Sequence, residues 1–217
     1  GVMRVVIIGG GTAGWISALM FNRTRPQDEV PVISSSEIGI LGAGEGTTPH
    51  FVGQFLDMVG VPVSALVKHV GATVKHAIKF VNWRGDGGHY HHPFADDVTG
   101  APNLAYLNPD SPLDERDWVF TARLAEERRV PMSRVPIFDR PDGDDPILDF
   151  RDHARFALHF DAVKLARYLK QVAEGRGITH IDDIVTDLGR APNGHIRKLR
   201  TKSGRILDCD FLVDCTG

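Results

Sequence analysis

Lys79 stands in a run of strand-forming residues, where a charged side chain is unexpected. Between Val74 and Trp83 the residues alternate between two faces that are both mostly apolar, which is typical of a strand covered on both sides. A lysine in such a strand has to find a partner, lower its pKa or line a cavity. The alternative is an edge strand, from which the ammonium group of the lysine reaches water. On composition alone, the edge strand is the simpler interpretation.

A glycine-rich turn at residues 9–14, Gly-Gly-Gly-Thr-Ala-Gly, is the second candidate for chemistry. It follows a β-branched run and precedes apolar residues at helical spacing, so strand, tight turn and helix succeed one another. In such a unit Gly9 permits the turn, Gly11 lets the backbone approach a pyrophosphate, and Gly14 lets helix and strand pack closely. The pattern predicts dinucleotide binding at the start of the helix. The alternative is a purely structural glycine turn.

A second strand is predicted at Val30–Ile33. In a dinucleotide-binding unit this strand ends on an acidic residue that contacts the adenosine ribose. Here it ends on Ser34, and the nearest carboxylate, Glu37, comes three residues later, so the ribose contact stays open.

A loop with many glycines follows at residues 39–49. It is predicted to end at a helix start, with Thr48 as the N-cap and Pro49 at the first helical position. So many glycines are unnecessary in a plain connector, and they favour a loop that lies flat against a ligand.

Composition limits the class of protein. The chain has 217 residues, 42% apolar content, 24% charged content and a net charge of −3, which is typical of one large globular domain or two small ones. Basic residues are scattered, which disfavours nucleic-acid binding. Cys209 and Cys215 lie in or beside apolar, strand-like sequence, which favours buried, reduced thiols over a disulfide. With no apolar run long enough for a membrane span and no signal-peptide pattern, we predict a cytoplasmic protein.

The middle of the chain contains a cluster of histidines, His89-Tyr90-His91-His92, in a segment 85–112 that we predict to be irregular. Three histidines so close suggest a metal site. This spacing within one loop rarely completes a tetrahedral site without a distant further ligand, so we predict no metal.

Short helices are expected at 51–59 and 63–70, a charged helix at 113–129 and a proline-broken loop at 131–146.

The last third of the chain has a clear pattern. Asp161 is predicted to cap a helix that ends at Gly175. Strands at 184–188, 195–201 and 205–213, joined by Asn-Gly and Ser-Gly turns, predict a β-meander.

This order of elements resembles the FAD domain of the glutathione-reductase-like flavoproteins, an α/β Rossmann-like domain with a β-meander crossover within a larger monooxygenase-like fold. Several segments together resemble the flavin-dependent tryptophan halogenase family. They are Gly-Gly-Gly-Thr-Ala-Gly-Trp at 9–15, Gly-Ala-Gly-Glu-Gly-Thr-Thr-Pro at 42–49, Ile-Lys-Phe-Val-Asn-Trp-Arg at 78–84, Tyr-His-His-Pro-Phe at 90–94 and Leu-His-Phe-Asp-Ala at 158–162.

The resemblance assigns roles to single residues. It implies that Lys79 is catalytic, that the turn at 9–14 holds the FAD pyrophosphate, and that residues 39–49 form a strap between the flavin and the substrate. Val185 would meet the adenine through its backbone, and Ser34 stands where the family usually carries a glutamate. The implied cofactor-binding residues are Gly9, Gly11, Thr12, Ala13, Gly14, Ser34, Ile38, Gly39, Ala43, Gly44, Glu45 and Val185.

The resemblance also implies a division of the chain. Residues 1–49 and 151–217 would form the nucleotide-binding part, and residues 50–150 an insertion toward the substrate side. The family's Trp-x-Trp motif, its halide site and the glutamate that partners the lysine would lie beyond residue 217.

The implied reaction uses reduced FAD from a separate flavin reductase, O2 and chloride or bromide to form hypohalous acid. Lys79 would guide this acid to tryptophan, indole or a related electron-rich aromatic, either by a hydrogen bond from its ammonium or by capture at a neutral amine. A homodimer is left open, and no membrane or nucleic-acid partner is expected. The alternatives are an FAD-dependent monooxygenase or oxidoreductase of the same fold and a non-catalytic flavin-binding protein.

Overall fold

The computed structural model describes residues 1–40, 42–94, 120–129 and 156–217. In chain order the elements are β1 (Val5–Ile8), α1 (Thr12–Thr24), β2 (Val32–Ser34), β3 (Gly44–Gly46), a π-helical turn (Phe51–Phe55), α2 (Leu56–Val59), α3 (Val63–Val70), β4 (Thr73–Lys75), β5 (Ala77–Val81), β6 (His89–Pro93), α4 (Phe120–Glu127), β7 (Ala157–Asp161), α5 (Ala162–Gly175), β8 (His180–Asp182), β9 (Val185–Arg190), β10 (Ile196–Thr201), β11 (Ile206–Asp208) and β12 (Phe211–Asp214).

The chain divides into two compact units. Unit 1 consists of Gly1–Gly44 and Asp161–Gly217, and unit 2 of Glu45–Phe160. These bounds fall close to the segments expected from the resemblance, but they do not test which part binds nucleotide or substrate, so that assignment stays a prediction.

A parallel sheet with the strand order β12-β1-β2-β8 forms the centre of unit 1. Val5, Val6 and Ile7 of β1 are fully buried, as expected for a β-branched strand inside a parallel sheet. Helices α1 and α5 pack against each other, and α5 buries an apolar face that includes Leu165 and Leu169. The Rossmann-like arrangement predicted from the sequence is therefore present.

Helix α5 begins and ends where the sequence predicts. The Asp161 carboxylate accepts a hydrogen bond of 2.9 Å from the Lys164 backbone N–H, which confirms the predicted cap. The strand β8 that follows α5 was not predicted. It is only three residues long, and it pairs in parallel with β2 after the crossover through α5.

The predicted β-meander is present as β9, β10 and β11. Its inner side is covered by a cluster of buried residues: Val6, Ile33, Ile181, Leu199 and Cys209. The prediction of one strand at 205–213 was wrong, because the chain changes sheets near Asp210. The Asp210 carboxylate accepts a hydrogen bond from the Arg4 N–H at 2.9 Å, the Asp210 N–H donates to the Arg4 carbonyl at 2.9 Å, and β12 then pairs with β1.

The predicted helices at the start of unit 2 are present. The helical backbone begins at Pro49, continues through the π-helical turn and α2, and is followed by α3. No single helix among the described residues has both the length and the apolar content needed to cross a membrane. The helical stretches Phe51–Val59 and Val63–Val70 meet that test only together, and they are bent by 88°.

The strand predicted around Lys79 is in fact two strands, β4 and β5. They separate at His76, because β4 pairs antiparallel with β7 whereas β5 pairs antiparallel with β6. The His76 side chain is buried at this break, and its Nε2 donates to the Arg129 carbonyl at 3.0 Å.

Strand β6 corrects the expectation that residues 85–112 are irregular, because His89–Pro93 forms the second strand of a hairpin with β5. Of the helix predicted at 113–129, the described part contains α4. The loop predicted at 131–146 lies outside the described residues.

Candidate active site

The glycine turn lies in unit 1 between the end of β1 and the start of α1. Gly9 has a φ of +121°, and a Cβ on it would collide with the Cys215 carbonyl. A Cβ on Gly14 would collide with the Gly9 carbonyl, so strand and helix can approach only because both residues are glycine. A Cβ on Gly11 would meet nothing within 4 Å. The turn is therefore packed on its inner side and open at Gly11.

The open side of the turn carries backbone donors. Thr12, Ala13 and Gly14 form the first turn of α1, whose N-cap residue Gly11 makes no side-chain capping hydrogen bond. The first N–H groups of a helix without a side-chain cap can donate to a phosphate. The Gly10 carbonyl accepts a hydrogen bond from the Trp15 indole at 3.1 Å, which fixes the turn from the helix side.

Ser34, at the end of β2, lies beside this turn. A Cβ on Gly10 would lie 2.6 Å from the Ser34 Oγ, so the serine side chain occupies the space next to the turn. The Ser34 Oγ is hydrogen-bonded to His180 Nε2 at 2.7 Å. Burial, and then the nearby Lys170 ammonium, lower the pKa of His180, which favours the neutral imidazole. A serine–histidine pair thus stands where the sequence led us to look for an acid.

A carboxylate is nevertheless present at the neighbouring strand end. Asp182 is the register partner of Ser34 on β8. It accepts hydrogen bonds of 2.9 Å from both the backbone N–H and the hydroxyl of Ser36, and these two bonds lower the pKa of Asp182. Glu37, the carboxylate considered from the sequence, forms an ion pair with Lys202 at 3.0 Å instead.

The first part of the expected strap belongs to unit 1 and is exposed at Ile38 and Gly39. It is attached to the start of α5, because the Ala43 carbonyl accepts a hydrogen bond from the Ala162 N–H at 3.2 Å. A Cβ on Gly42 would lie 3.0 Å from the Val163 side chain, so this glycine allows the loop to approach the helix.

The second part of the strap passes from Gly44, the last residue of this segment of unit 1, into unit 2 at Glu45. Gly44 and Glu45 are exposed in β3, and the loop is fixed just beyond them at Thr47. The Thr47 N–H donates to the Leu158 carbonyl at 2.9 Å, and the Thr47 carbonyl accepts from Lys75 Nζ at 3.1 Å. Gly46 faces His159, whose pKa is lowered by burial and by the Lys75 ammonium.

Val185 opens β9 in unit 1 and packs against the buried cluster under the meander, which includes Ile33 of β2. The turn at 9–14 and Ser34 therefore lie at the parallel sheet, and Val185 lies in the meander that packs against it through this cluster.

Lys79 lies in unit 2, in the middle of the β5–β6 hairpin, and its side chain is exposed. The expectation of a strand covered on both faces was wrong for the described residues, because Ile78 on one face and Lys79 and Val81 on the other are exposed. The opposite face of the hairpin is held by rings, since Phe80 and Tyr90 stack with centroids 5.1 Å apart. The structure thus fits the edge-strand interpretation of Lys79.

Sequence reasoning missed two residues near these positions. His180, the partner of Ser34, belongs to the unpredicted strand β8, and a crossover after α5 was the signal that could have revealed that strand. Glu126 of α4 lies against the histidines of β6, and no local pattern links these two segments.

The parallel sheet and the packed glycine turn that is open at Gly11 define a Rossmann-like fold. Residues 4–217 match the family model described as tryptophan halogenase. The chain is 33% identical to tryptophan 6-halogenase ThaL of Streptomyces albogriseolus in a 237-residue alignment that covers 100% of this chain and 43% of that protein. It is also 30% identical to tryptophan 7-halogenase RebH of Lentzea aerocolonigenes, covering 99% of this chain and 42% of that protein.

A solved structure agrees with these matches. The flavin-dependent halogenase Xcc4156 of Xanthomonas campestris superposes with a TM-score of 0.79 at 30% identity, covering 100% of this chain and 42% of that one. The chain therefore belongs to the tryptophan halogenase family, and its fold is that of the flavin-dependent halogenases. It spans less than half the length of the relatives that it matches.

Proposed function

We propose that this chain is the FAD-binding part of an enzyme that halogenates tryptophan, indole or a related electron-rich aromatic. The observation that carries the proposal is the turn at residues 9–14, which has no room for a side chain at Gly9 or Gly14 and is open at Gly11. This is the arrangement that a dinucleotide pyrophosphate requires. The match to the tryptophan halogenase family supports FAD as this dinucleotide.

The residues present fit that cofactor. The N–H groups of Thr12, Ala13 and Gly14 would donate to the pyrophosphate at the open side of the turn. Ser34 would donate its hydroxyl to the adenosine ribose, with His180 holding the serine in place. Val185 would contact the adenine through its backbone.

The strap would separate the flavin from the substrate, with Ile38, Gly39, Ala43, Gly44 and Glu45 along the cofactor. Its attachments support this role. The Ala43 carbonyl is bonded to the start of α5, and Thr47 is bonded to β7, so the exposed glycines lie between fixed points.

Reduced FAD, when bound, would supply two electrons so that O2 and a halide ion yield hypohalous acid and water. Lys79 is proposed to receive the hypohalous acid in one of two ways. Its ammonium donates a hydrogen bond to the acid, or its neutral amine attacks the halogen, which breaks the oxygen–halogen bond and releases water with the proton lost by the amine. Both forms confine a reactive oxidant next to one position of the aromatic ring, and both need the Nζ atom.

A separate flavin reductase is proposed to supply the reduced cofactor, as membership of the tryptophan halogenase family implies. We place the enzyme in the cytoplasm, where NAD(P)H-dependent reductases are available, and propose that it acts as a monomer or a homodimer.

The decisive experiment measures halogenated product by mass spectrometry. The purified protein is incubated with FAD, NADH, O2, tryptophan and chloride or bromide, with and without a flavin reductase. We expect a product whose mass changes with the halide and which requires the reductase. A hydroxylated product formed without halide would favour the monooxygenase, and flavin reduction by NADH alone would favour a self-sufficient oxidoreductase.

A further inference from the structure

Strand β6 and helix α4 of unit 2 bring two histidines and a glutamate together. His89 and His91 are alternate residues of β6 and therefore leave the same face of the hairpin. Glu126 approaches that face from α4. Each residue contributes one possible ligand atom, and the three atoms all lie within 4.8 Å of one another.

The distances fit a shared metal, and the His89–Glu126 contact is also a long hydrogen bond. Glu126 Oε2 lies 3.3 Å from His89 Nε2 and 3.5 Å from His91 Nε2. A charge-assisted hydrogen bond between such groups is shorter, about 2.7–2.9 Å. Two ligands that bind one tetrahedral metal at about 2.0–2.1 Å lie about 3.4 Å apart. Both observed separations agree with the second arrangement.

The donor set determines which ion would bind. Two imidazole nitrogens and one carboxylate oxygen are typical of zinc sites that keep a fourth position for water. Imidazole suits zinc, cobalt and nickel ions, whereas magnesium and calcium prefer a complete set of oxygen ligands. We propose that His89, His91 and Glu126 bind a divalent transition-metal ion of the zinc class.

This inference revises the expectation that no metal is bound. The sequence showed closely spaced histidines without a distant further ligand, and the fold supplies Glu126 from a segment more than thirty residues away. His91 is only 5% exposed, so one ligand is anchored inside unit 2, while the side chains of His89 and Glu126 are 31% and 30% exposed and leave a path for the ion. Binding at this site is independent of the proposed flavin chemistry.

The test is a titration of the chelator-treated protein with Co²⁺, followed by visible absorption and then by competition with Zn²⁺. The wild type should bind one ion per chain with a spectrum of tetrahedral cobalt. Glu126→Gln, His89→Gln and His91→Gln should each weaken binding at least about tenfold. His92→Gln is the matched control, because His92 lies on the same strand but leaves the opposite face.

Folding is checked separately through the far-ultraviolet circular dichroism and the melting temperature of each metal-free variant. Glu126→Gln changes a partly exposed side chain almost without changing its shape, so it keeps the test informative even if His91→Gln unfolds the hairpin. Equal Co²⁺ affinity in the wild type and Glu126→Gln would overturn the site. Equal weakening by His92→Gln would also overturn it, because binding would then be an unspecific property of the histidines.

Discussion

Lys79 and His91 lie directly opposite each other on the two strands of the β5–β6 hairpin, so their side chains leave the same face. His91 is buried against α4, while Lys79 is exposed. The hairpin therefore presents the lysine beside a fixed, polar neighbour instead of an apolar one. The strand register fixes the face of the hairpin from which the Lys79 side chain leaves, and the stacked Phe80 and Tyr90 rings stabilise the hairpin on the other face.

Replacing Lys79 by methionine should abolish halogenation. The variant keeps the length of the side chain and removes its charge and its nitrogen. Because Lys79 is exposed, we expect the free energy of unfolding to change by no more than about 0.5 kcal/mol and FAD affinity to stay unchanged. Product formation is measured with the reductase present.

Lys198→Met is the control for the general effect of removing a surface lysine, since Lys198 is exposed on β10. If Lys79→Met kept more than about a tenth of the wild-type rate, the change in the activation barrier would be below ~1.4 kcal/mol. Lys79 would then have no chemical role.

Two substitutions in the glycine turn should act mainly on different properties, Gly14→Ala on stability and Gly11→Ala on FAD binding. Gly14→Ala forces a methyl group against the Gly9 carbonyl and should destabilise unit 1 by about 1–3 kcal/mol. Gly11→Ala meets open space, so its cost should stay near the ~1 kcal/mol of a poorer N-cap. It should nevertheless weaken FAD binding at least about tenfold, because its methyl group occupies the pyrophosphate position.

Urea denaturation and FAD titration by fluorescence separate these two effects. Tight FAD binding by Gly11→Ala would show that the open side of the turn is not the pyrophosphate site. An unchanged free energy of unfolding for Gly14→Ala would show that helix α1 and strand β1 can move apart at this glycine without loss of stability.

Asp161→Ala should destabilise unit 1 by about 1 kcal/mol, because α5 loses the side chain that accepts from the Lys164 N–H. Asp161→Asn keeps an acceptor at the same place and should recover most of that loss. The measurement is the free energy of unfolding in urea for the three proteins. Equal stability of Asp161→Ala and the wild type would mean that water replaces the cap.

Acid should destabilise the protein already near neutral pH. Burial lowers the pKa of His76, His159 and His180 in the folded protein. The unfolded chain, with histidine pKa values of ~6.5, therefore binds protons at a higher pH than the folded protein does. The free energy of unfolding should therefore fall as the pH drops through ~6.5.

His76→Gln tests the contribution of the most buried of these histidines, since glutamine keeps an N–H donor for the Arg129 carbonyl and does not titrate. Its stability should depend less steeply on pH between about 8 and 5.5 than that of the wild type. An unchanged slope would contradict the pKa assignment for His76.

Local signals predicted the parts of the fold that local interactions determine. The glycine turn, the Asp161 cap and the turns of the meander all depend on residues a few positions apart, and they were found from the sequence. Strand β6, strand β8 and the division of 205–213 depend on partners far along the chain. The same holds for the candidate site. Lys79 and the glycines could be picked out from the sequence by their residue types, whereas the contacts of Ser34 with His180 and of His91 with Glu126 could be found only in the structure.

The pairing of β12 with β1 has a consequence for how the chain folds during synthesis. Val5 pairs with Phe211, so the central strand of unit 1 acquires one of its two neighbours only after unit 2 has been made. Unit 2 is continuous in sequence and can form its contacts earlier. During synthesis, β1 therefore keeps one edge unpaired until β12 has emerged, and an unpaired apolar strand edge favours aggregation.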